Sequence, residues 1–367
     1  MRPLRVAHVL SVLAYGGVES MTLRLMRSLP ADRFAHVLVT MEQDPGERAP
    51  EFAALGVERH DCPLEPGRRL RWVRRLARLL ARLAPDRVLA YHFGNHLLIA
   101  AAAKMAGVPA TWVRVAGSPL RDCRTRLAST VRAQLARPLC RGEIAVSGSV
   151  GRQLVRGIGL PGRRVHVIAN GCPVDEIERR AGAARAAREV GPPRVLMVSR
   201  MDDAKDHESL LAAFRLLADE GSTAQLVLVG DGPRRALHEA RAADLGIGER
   251  VLFLGSRSDV PEEMGRASVL VLATRTEGMP NVLLEGMAAR VPVVATDIEP
   301  CREALDGGRC GRLVRPGDPA DLARAVRGAL ASPGAFVEEA ARRVRDVYDI
   351  RRTVEAYAEL LAAGPRR

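Results

Sequence analysis

Short apolar runs alternate with amphipathic stretches along almost the whole chain. The run Leu4–Leu10 ends at Tyr15-Gly16-Gly17-Val18-Glu19, and 20–29 then repeats its apolar positions at helical spacing. Further strands are predicted at 36–41, 87–91, 110–115, 143–146 and 165–168, with helices at 68–83, 96–106 and 124–136. A second series predicts strands at 194–198, 225–229, 251–254, 269–273 and 291–295. Its helices fall at 206–219, 234–245, 259–266, 282–289 and 319–331, and two more at 335–347 and 350–362 finish the chain. Between the series, 172–193 is rich in Ala and Arg, ends in Gly-Pro-Pro and reads as a polar connection. Strands made almost wholly of Val, Leu, Ile and Ala, with helices between them, indicate parallel sheets covered on both faces. The expected class is α/β, as two Rossmann-like, doubly wound parallel-sheet domains.

Composition narrows this further. A chain of 367 residues suits two or three domains with sizeable cores. Its net charge is +13, and of the 56 basic residues only Lys104 and Lys205 are lysines. The charge is uneven: residues 1–180 carry 29 basic and 15 acidic side chains, whereas 181–367 carry 27 and 28. That excludes a uniformly basic, histone-like chain and directs attention to an anionic partner of the first half. Aromatic residues make up 3%, too few to offer stacking platforms for a nucleic acid, and none is expected as a partner. No run of 18 apolar residues is present, so no transmembrane helix is expected. Polar His8 and Ser11 interrupt the first apolar run, which reads as a strand rather than a signal peptide. Six scattered cysteines without a C-x-x-C pair read as reduced thiols, which points to a cytoplasmic location.

Doubly wound sheets bind ligands beyond the carboxyl ends of their strands, so the residues just after each strand are the candidates. Gly16 and Gly17 open a helix after the first strand, where a bare backbone and free amides suit a phosphate. Arg200 and Lys205 follow strand 194–198 and can converge on a diphosphate as a planar fork and a mobile point charge. Thr276-Glu277-Gly278-Met279-Pro280-Asn281-Val282-Leu283-Leu284-Glu285 is the strongest stretch. The 278–282 amides form a helix N-terminus, and Glu277 and Glu285 flank it in a way that suits the hydroxyls of a sugar nucleotide. Acids at a helix start commonly serve only its dipole, but the composite at a strand end favours a site. His92 follows strand 87–91 and could bind a sugar or move a proton, as could His96; a lone His is more often structural. The 68–83 helix alternates Trp72, Val73, Leu76, Leu79, Leu80 and Leu83 with arginines. It reads either as a covering helix with a solvated arginine face or as a contact with an anionic membrane.

On these motifs the sequence resembles the retaining glycosyltransferases of family 4, with the GT-B fold. The resemblance rests on GGVE (16–19), AVSGSV (145–150), VIANG (167–171), VSRMDDAKDHESLLAAF (198–214), LVGDGP (228–233), FLGSRSDVPEEM (253–264), TEGMPNVLLEGMAARVPVVATD (276–297) and RLVRPGDPADLA (312–323). It implies an acceptor-side domain at 1–172 and a nucleotide-sugar domain at 173–347, facing a cleft, with the last helix from about 348 returning to the first domain. The family's Glu-x7-Glu motif falls on Glu277 and Glu285, and its basic pair for the donor diphosphate on Arg200 and Lys205. Gly17 matches the glycine loop at the donor phosphates, and His92 a histidine near the acceptor. Gly16, Gly278, Met279, Pro280, Asn281 and Val282 complete the expected donor site, while Glu277, His92, Arg200 and Lys205 are the expected catalytic group. No metal is expected, because basic side chains and a helix dipole take its place. Two departures stand out: Val115-Ala116-Gly117 lacks the second His often found there, and Arg290 replaces a small residue before VPVVAT. The expected activity is transfer of a hexose-type sugar, with retention, from a nucleoside diphosphate sugar to a glycan or lipid-linked acceptor, on the cytoplasmic side of a membrane. A nucleotide-sugar epimerase of the same fold is the alternative; a pyridoxal-dependent phosphorylase is disfavoured because Lys205 reads as a phosphate ligand.

Overall fold

A computed structural model describes residues 2–44, 46–91, 93–120, 123–334 and 336–363, with the backbone alone at 123–125. Two compact units emerge: one takes the chain up to Asn170 and again from Arg351 on, and the other is Gly171–Ile350.

The first unit is built on a parallel sheet of seven strands: β1 (Leu4–Leu10), β2 (Phe34–Thr40), β3 (Glu58–Asp61), β4 (Arg87–Ala90), β5 (Ala110–Val115), β6 (Gly142–Ala145) and β7 (Val165–Val167). Their order is β3-β2-β1-β4-β5-β6-β7. β1 lies between β2 and β4, with Val6 opposite both His36 and Arg87. Covered on both faces, it buries Val6, Ala7 and Val9 completely. β3, Glu-Arg-His-Asp, was not foreseen: it carries no apolar alternation and is held at the sheet edge by register and by polar side chains. Arg5 donates to Glu58 at 2.8 Å, and Thr40 donates to Asp61 at 2.5 Å.

The connections from β3 to β4, β4 to β5 and β5 to β6 run the same way along the sheet. Right-handed crossovers therefore place the helices Arg69–Leu83, His96–Met105 and Cys123–Ala136 on one face. The first of these buries Trp72, Val73, Leu76, Ala77, Leu79, Leu80 and Leu83 in a core with Val9, Val39, Val88, Ile99 and Ala103. Trp72 donates its indole N–H to the Cys62 carbonyl at 2.7 Å. This apolar stripe is therefore core and not a membrane-inserting face; the sheet and the next helix satisfy it, and its arginines face outward together with Leu70 in the first turn. The terminal helix Ile350–Ala362 covers the same unit. Arg114, buried on β5, donates to the Tyr357 hydroxyl at 3.1 Å, Arg87 donates to the Leu361 carbonyl at 2.9 Å, and Thr353 donates to the Ala169 carbonyl at 2.9 Å.

The second unit holds six parallel strands: β8 (Arg194–Val198), β9 (Gln225–Val229), β10 (Val251–Gly255), β11 (Val269–Leu272), β12 (Val293–Thr296) and β13 (Arg312–Val314). They run in the order β10-β9-β8-β11-β12-β13. Most of the expected 172–193 connection is instead a helix, Val174–Ala186. Its Ala and Arg content is strongly helix-forming, Asp175 and Glu176 sit in its first turn, and Val174, Ile177, Ala181 and Ala184 make a buried stripe. The two stretches where the chain enters and leaves this unit pair with each other: Cys172 donates to Tyr348 at 2.7 Å and Ile350 to Cys172 at 2.9 Å. Cys62, Cys140, Cys172, Cys301 and Cys310 are buried free thiols, and no described helix is long and apolar enough to cross a membrane.

Candidate active site

In each sheet the strand order reverses at one place, between β1 and β4 and between β8 and β11. The crevice beyond the carboxyl ends of such a pair is where open α/β sheets bind ligands. In the second unit the chain leaves β8 into Ser199-Arg200 and leaves β11 into the loop that ends at Pro280.

These two loops are bound together closely. Asp206 donates its amide to the Ala273 carbonyl at 3.1 Å, and Arg275 donates its amide to Ala204 at 2.9 Å. The Thr274 hydroxyl donates to the same Ala204 carbonyl at 3.1 Å. Across this clamp the Lys205 ammonium donates to the Glu277 carboxylate, and both side chains are mostly buried. An ammonium carries three donors; Glu277 engages one and fixes where the others point. Just beyond, Gly278, Met279 and Pro280 are buried and lead into the helix Asn281–Ala288, with Val282 in its first turn and Glu285 in its second. A cation, an oriented carboxylate and the amide end of a helix thus sit on one sheet edge, an arrangement whose chemistry suits an anionic, phosphorylated group.

Arg200 stands apart from this pair. Its guanidinium is 65% exposed and 3.7 Å from Asp202, free to swing onto an incoming anion. In the other unit, Gly16 has extended backbone and caps the helix Gly17–Ser28. A side chain at Gly16 would put its Cβ 2.4 Å from the Glu19 carboxylate, which curls back over the helix start. His92, expected after β4, lies outside the described residues. His96 is buried with its ring stacked on Phe93, at 4.5 Å between centroids, and its Nδ1 faces the Phe93 carbonyl.

Several residues that hold the site were not singled out in the sequence. Asp206 is buried and caps the helix His207–Asp219 while accepting from Arg275 at 2.8 Å. Thr274 donates its amide N–H to the Thr296 hydroxyl oxygen at 3.0 Å. His207 lies 3.2 Å from the Ser199 hydroxyl and stacks on His238 at 4.6 Å. Burial, then His238 and Lys205, push the His207 pKa down to about 3, so the ring is neutral and supports the loop without charge. Burial first, and the Glu277 charge second, raise the nearby Cys301 thiol, which remains protonated and is no nucleophile. The glycines of LVGDGP did carry a signal: a Cβ at Gly230 would stand 2.0 Å from the Ser199 carbonyl oxygen, and one at Gly232 2.4 Å from that of Met201. Only glycine lets that loop support the one bearing Arg200.

Known proteins carry the same pattern. Residues 15–176 match the family described as Glycosyltransferase Family 4, and residues 192–332 match Glycosyl transferases group 1. The protein described as glycosyltransferase EpsF of Bacillus subtilis (strain 168) is 30% identical over 321 residues, 83% of this chain and 81% of EpsF. D-inositol 3-phosphate glycosyltransferase of Geodermatophilus obscurus is 32% identical over 247 residues, 61% of this chain and 54% of that one. Among solved structures, Anabaena HepE in complex with UDP and glucose superposes with a TM-score of 0.85 at 18% identity, over 98% of this chain and all of HepE. The lipopolysaccharide outer core galactosyltransferase WaaB gives 0.70 at 17% identity, over 97% of this chain and all of WaaB. At such identities the structural likeness is one of fold, and it agrees with the sequence relatives: the chain belongs to the family 4 glycosyltransferases, with two Rossmann-like domains of GT-B type.

Proposed function

We propose that this glycosyltransferase moves a hexose-type sugar from a nucleoside diphosphate sugar to a hydroxyl of a glycan or lipid-linked acceptor, retaining the anomeric configuration, on the cytoplasmic face of a membrane. The observation that carries this reading is the Lys205–Glu277 pair at the β8–β11 edge, beside the amide end of Asn281–Ala288. Lys205, Arg200 and the amide N–H groups within 278–282, all but Pro280 carrying one, take up the charge that develops on the diphosphate as the glycosidic C–O bond breaks. Their combined positive character makes a metal ion unnecessary. The acceptor oxygen then bonds to the anomeric carbon from the face the diphosphate leaves, and its proton passes to a phosphate oxygen. Glu277 positions the sugar hydroxyls and Glu285 the ribose diol. Gly16 and Gly17 are assigned to the donor and His92 to the acceptor. HepE, the relative in fold, was crystallised with UDP-glucose, which supports a uridine donor as the first trial.

Thermal melting against a panel of nucleotide sugars, with and without EDTA, identifies the donor; the right one raises the melting temperature equally in both. NMR of the product then reads the anomeric configuration. Unchanged turnover of that donor in Glu285→Ala or Arg200→Ala sinks the reading, and so does conversion of the donor to an isomer without any acceptor.

A further inference from the structure

The net positive charge of the chain is confined to a single stretch. Residues 66–142 hold 16 basic and 2 acidic side chains, a net of +14, while the other 290 residues hold 40 and 41. The fold places most of these basic residues on or beside the helices Arg69–Leu83, His96–Met105 and Cys123–Ala136, a layer on one face of the first sheet, while Arg87 and Arg114 are buried on strands. All seven arginines from Arg68 to Arg82 are exposed, and among the described residues Glu65 is the carboxylate that meets them, 3.2 Å from Arg68 and 3.5 Å from Arg75.

A second, independent feature lies on the same layer. On Cys123–Ala136, Leu127 is 69% exposed, Val131 49% and Leu135 57%. Spaced by four residues, they form one ridge along the helix, about 12 Å long. Water is a poor solvent for such a ridge, and a second copy of this chain would bring the same positive field against it. Trp72, Trp112 and Tyr91 are buried and Phe93 is stacked on His96, so among the described residues the layer offers no open aromatic face on which bases could stack. Aliphatic side chains set among arginines match the boundary between anionic headgroups and acyl chains.

We propose that the outer face of this layer docks on an anionic lipid bilayer, with the arginines of 68–82 supplying the attraction and the Leu127–Val131–Leu135 ridge the insertion. This rests on the membrane location proposed above, but it moves the inserting element from the 69–83 helix, whose apolar stripe is core, to the 123–136 helix.

The test is flotation of the full chain with phosphatidylcholine vesicles, with or without phosphatidylglycerol, at low salt. Binding is expected only with phosphatidylglycerol. Arg71→Gln/Arg74→Gln/Arg78→Gln should weaken it on the order of a hundredfold. Leu127→Ser/Val131→Ser/Leu135→Ser should weaken it by about tenfold or more, with the melting temperature unchanged because all six positions face solvent. Should the triple serine variant fail to fold, Leu127→Ser alone still loses a measurable fraction of binding. The proposal is overturned if the wild type does not float. It is equally overturned if the serine variant binds like the wild type, as a plain polyanion site would, or if light scattering shows a dimer that the serine variant lacks. The donor-induced melting shift does not involve this face: vesicle binding lost with that shift intact overturns the docking alone, and the reverse result overturns the transferase reading alone.

Discussion

Lys205 lies against Glu277 with 17% and 13% of the two side chains exposed, so removing either partner leaves a largely desolvated charge behind. Glu277→Gln keeps the hydrogen bond but loses the charge that orients the ammonium. Turnover should fall about 10²-fold, as when one stabilising group is removed from a charge-developing site, and the melting temperature should drop by several degrees because the ammonium loses its counter-charge. Steady-state kinetics with the identified donor checks this. A second residue-scale expectation concerns pH. Burial lowers His36 to about 4, and burial together with His36 lowers His8. His8 touches the Tyr91 hydroxyl at 2.8 Å and His36 at 3.0 Å, and Arg114 stacks over Tyr91. Both rings are neutral when folded, whereas in the unfolded chain they take up protons below about 6.5. The unfolded state therefore binds more protons between about pH 4 and 6.5, and stability is lost as the pH drops through that window, by up to about 1.4 kcal/mol per unit for each ring. His36→Gln should flatten the drop in melting temperature between pH 7 and pH 5. Glu277 and Lys205 were legible in the sequence because each follows an apolar strand and opens a helix. Asp206 and Arg275 were not, because their role is to join two loops 69 residues apart, and no local pattern records such a contact.

At the level of elements, Arg290 ends the helix Asn281–Ala288 in a left-handed conformation, φ 55°, where glycine is the usual residue. Its guanidinium meets Glu178 at 2.8 Å and also pairs with Glu338. Those pairs are about one-third exposed on the arginine side and contribute little, ~0–1 kcal/mol each. Arg290→Gly relieves a strain of about 1 kcal/mol and loses the pairs, so the melting temperature should move by only a few degrees in either direction. Arg290→Val, β-branched at positive φ, should destabilise by roughly 2 kcal/mol in the same thermal assay. Gly265 is a sharper case: a Cβ there would lie 2.2 Å from the Ala181 carbonyl oxygen, where Val260–Arg266 crosses Val174–Ala186. Backbone must move to admit it, and Gly265→Ala should cost on the order of 2 kcal/mol. The expected elements with strong apolar periodicity lie where predicted, several to the residue, such as Ala110–Val115 and Pro319–Ala331. Those that were missed lack that signal: β3 is polar, β13 is three residues long, Val174–Ala186 hides its stripe among alanines, and the helices Ala49–Ala53, Gly148–Arg152 and Glu299–Ala304 are too short to show a period.

For the whole molecule, two alternating series of apolar strands and amphipathic helices announced two parallel sheets. Nothing in the pattern of Ile350–Ala362 says which of them it covers, since any amphipathic helix of 13 residues would read alike. Its buried Tyr357 and Leu361 and the buried Arg114 beneath it make it integral to the first unit. Ending the chain after Ile350 should therefore lower the melting of that unit by several kcal/mol and leave the second unchanged. Calorimetry would show this as two separated transitions. The same return of the chain sets an order of assembly. Gly171–Ile350 is continuous and can complete its sheet as soon as it leaves the ribosome, whereas the earlier-made unit stays unfinished until residue 361 is synthesised. The part of the protein made first is thus the last to close, and its seven-stranded sheet is the surface on which chaperones have most reason to wait.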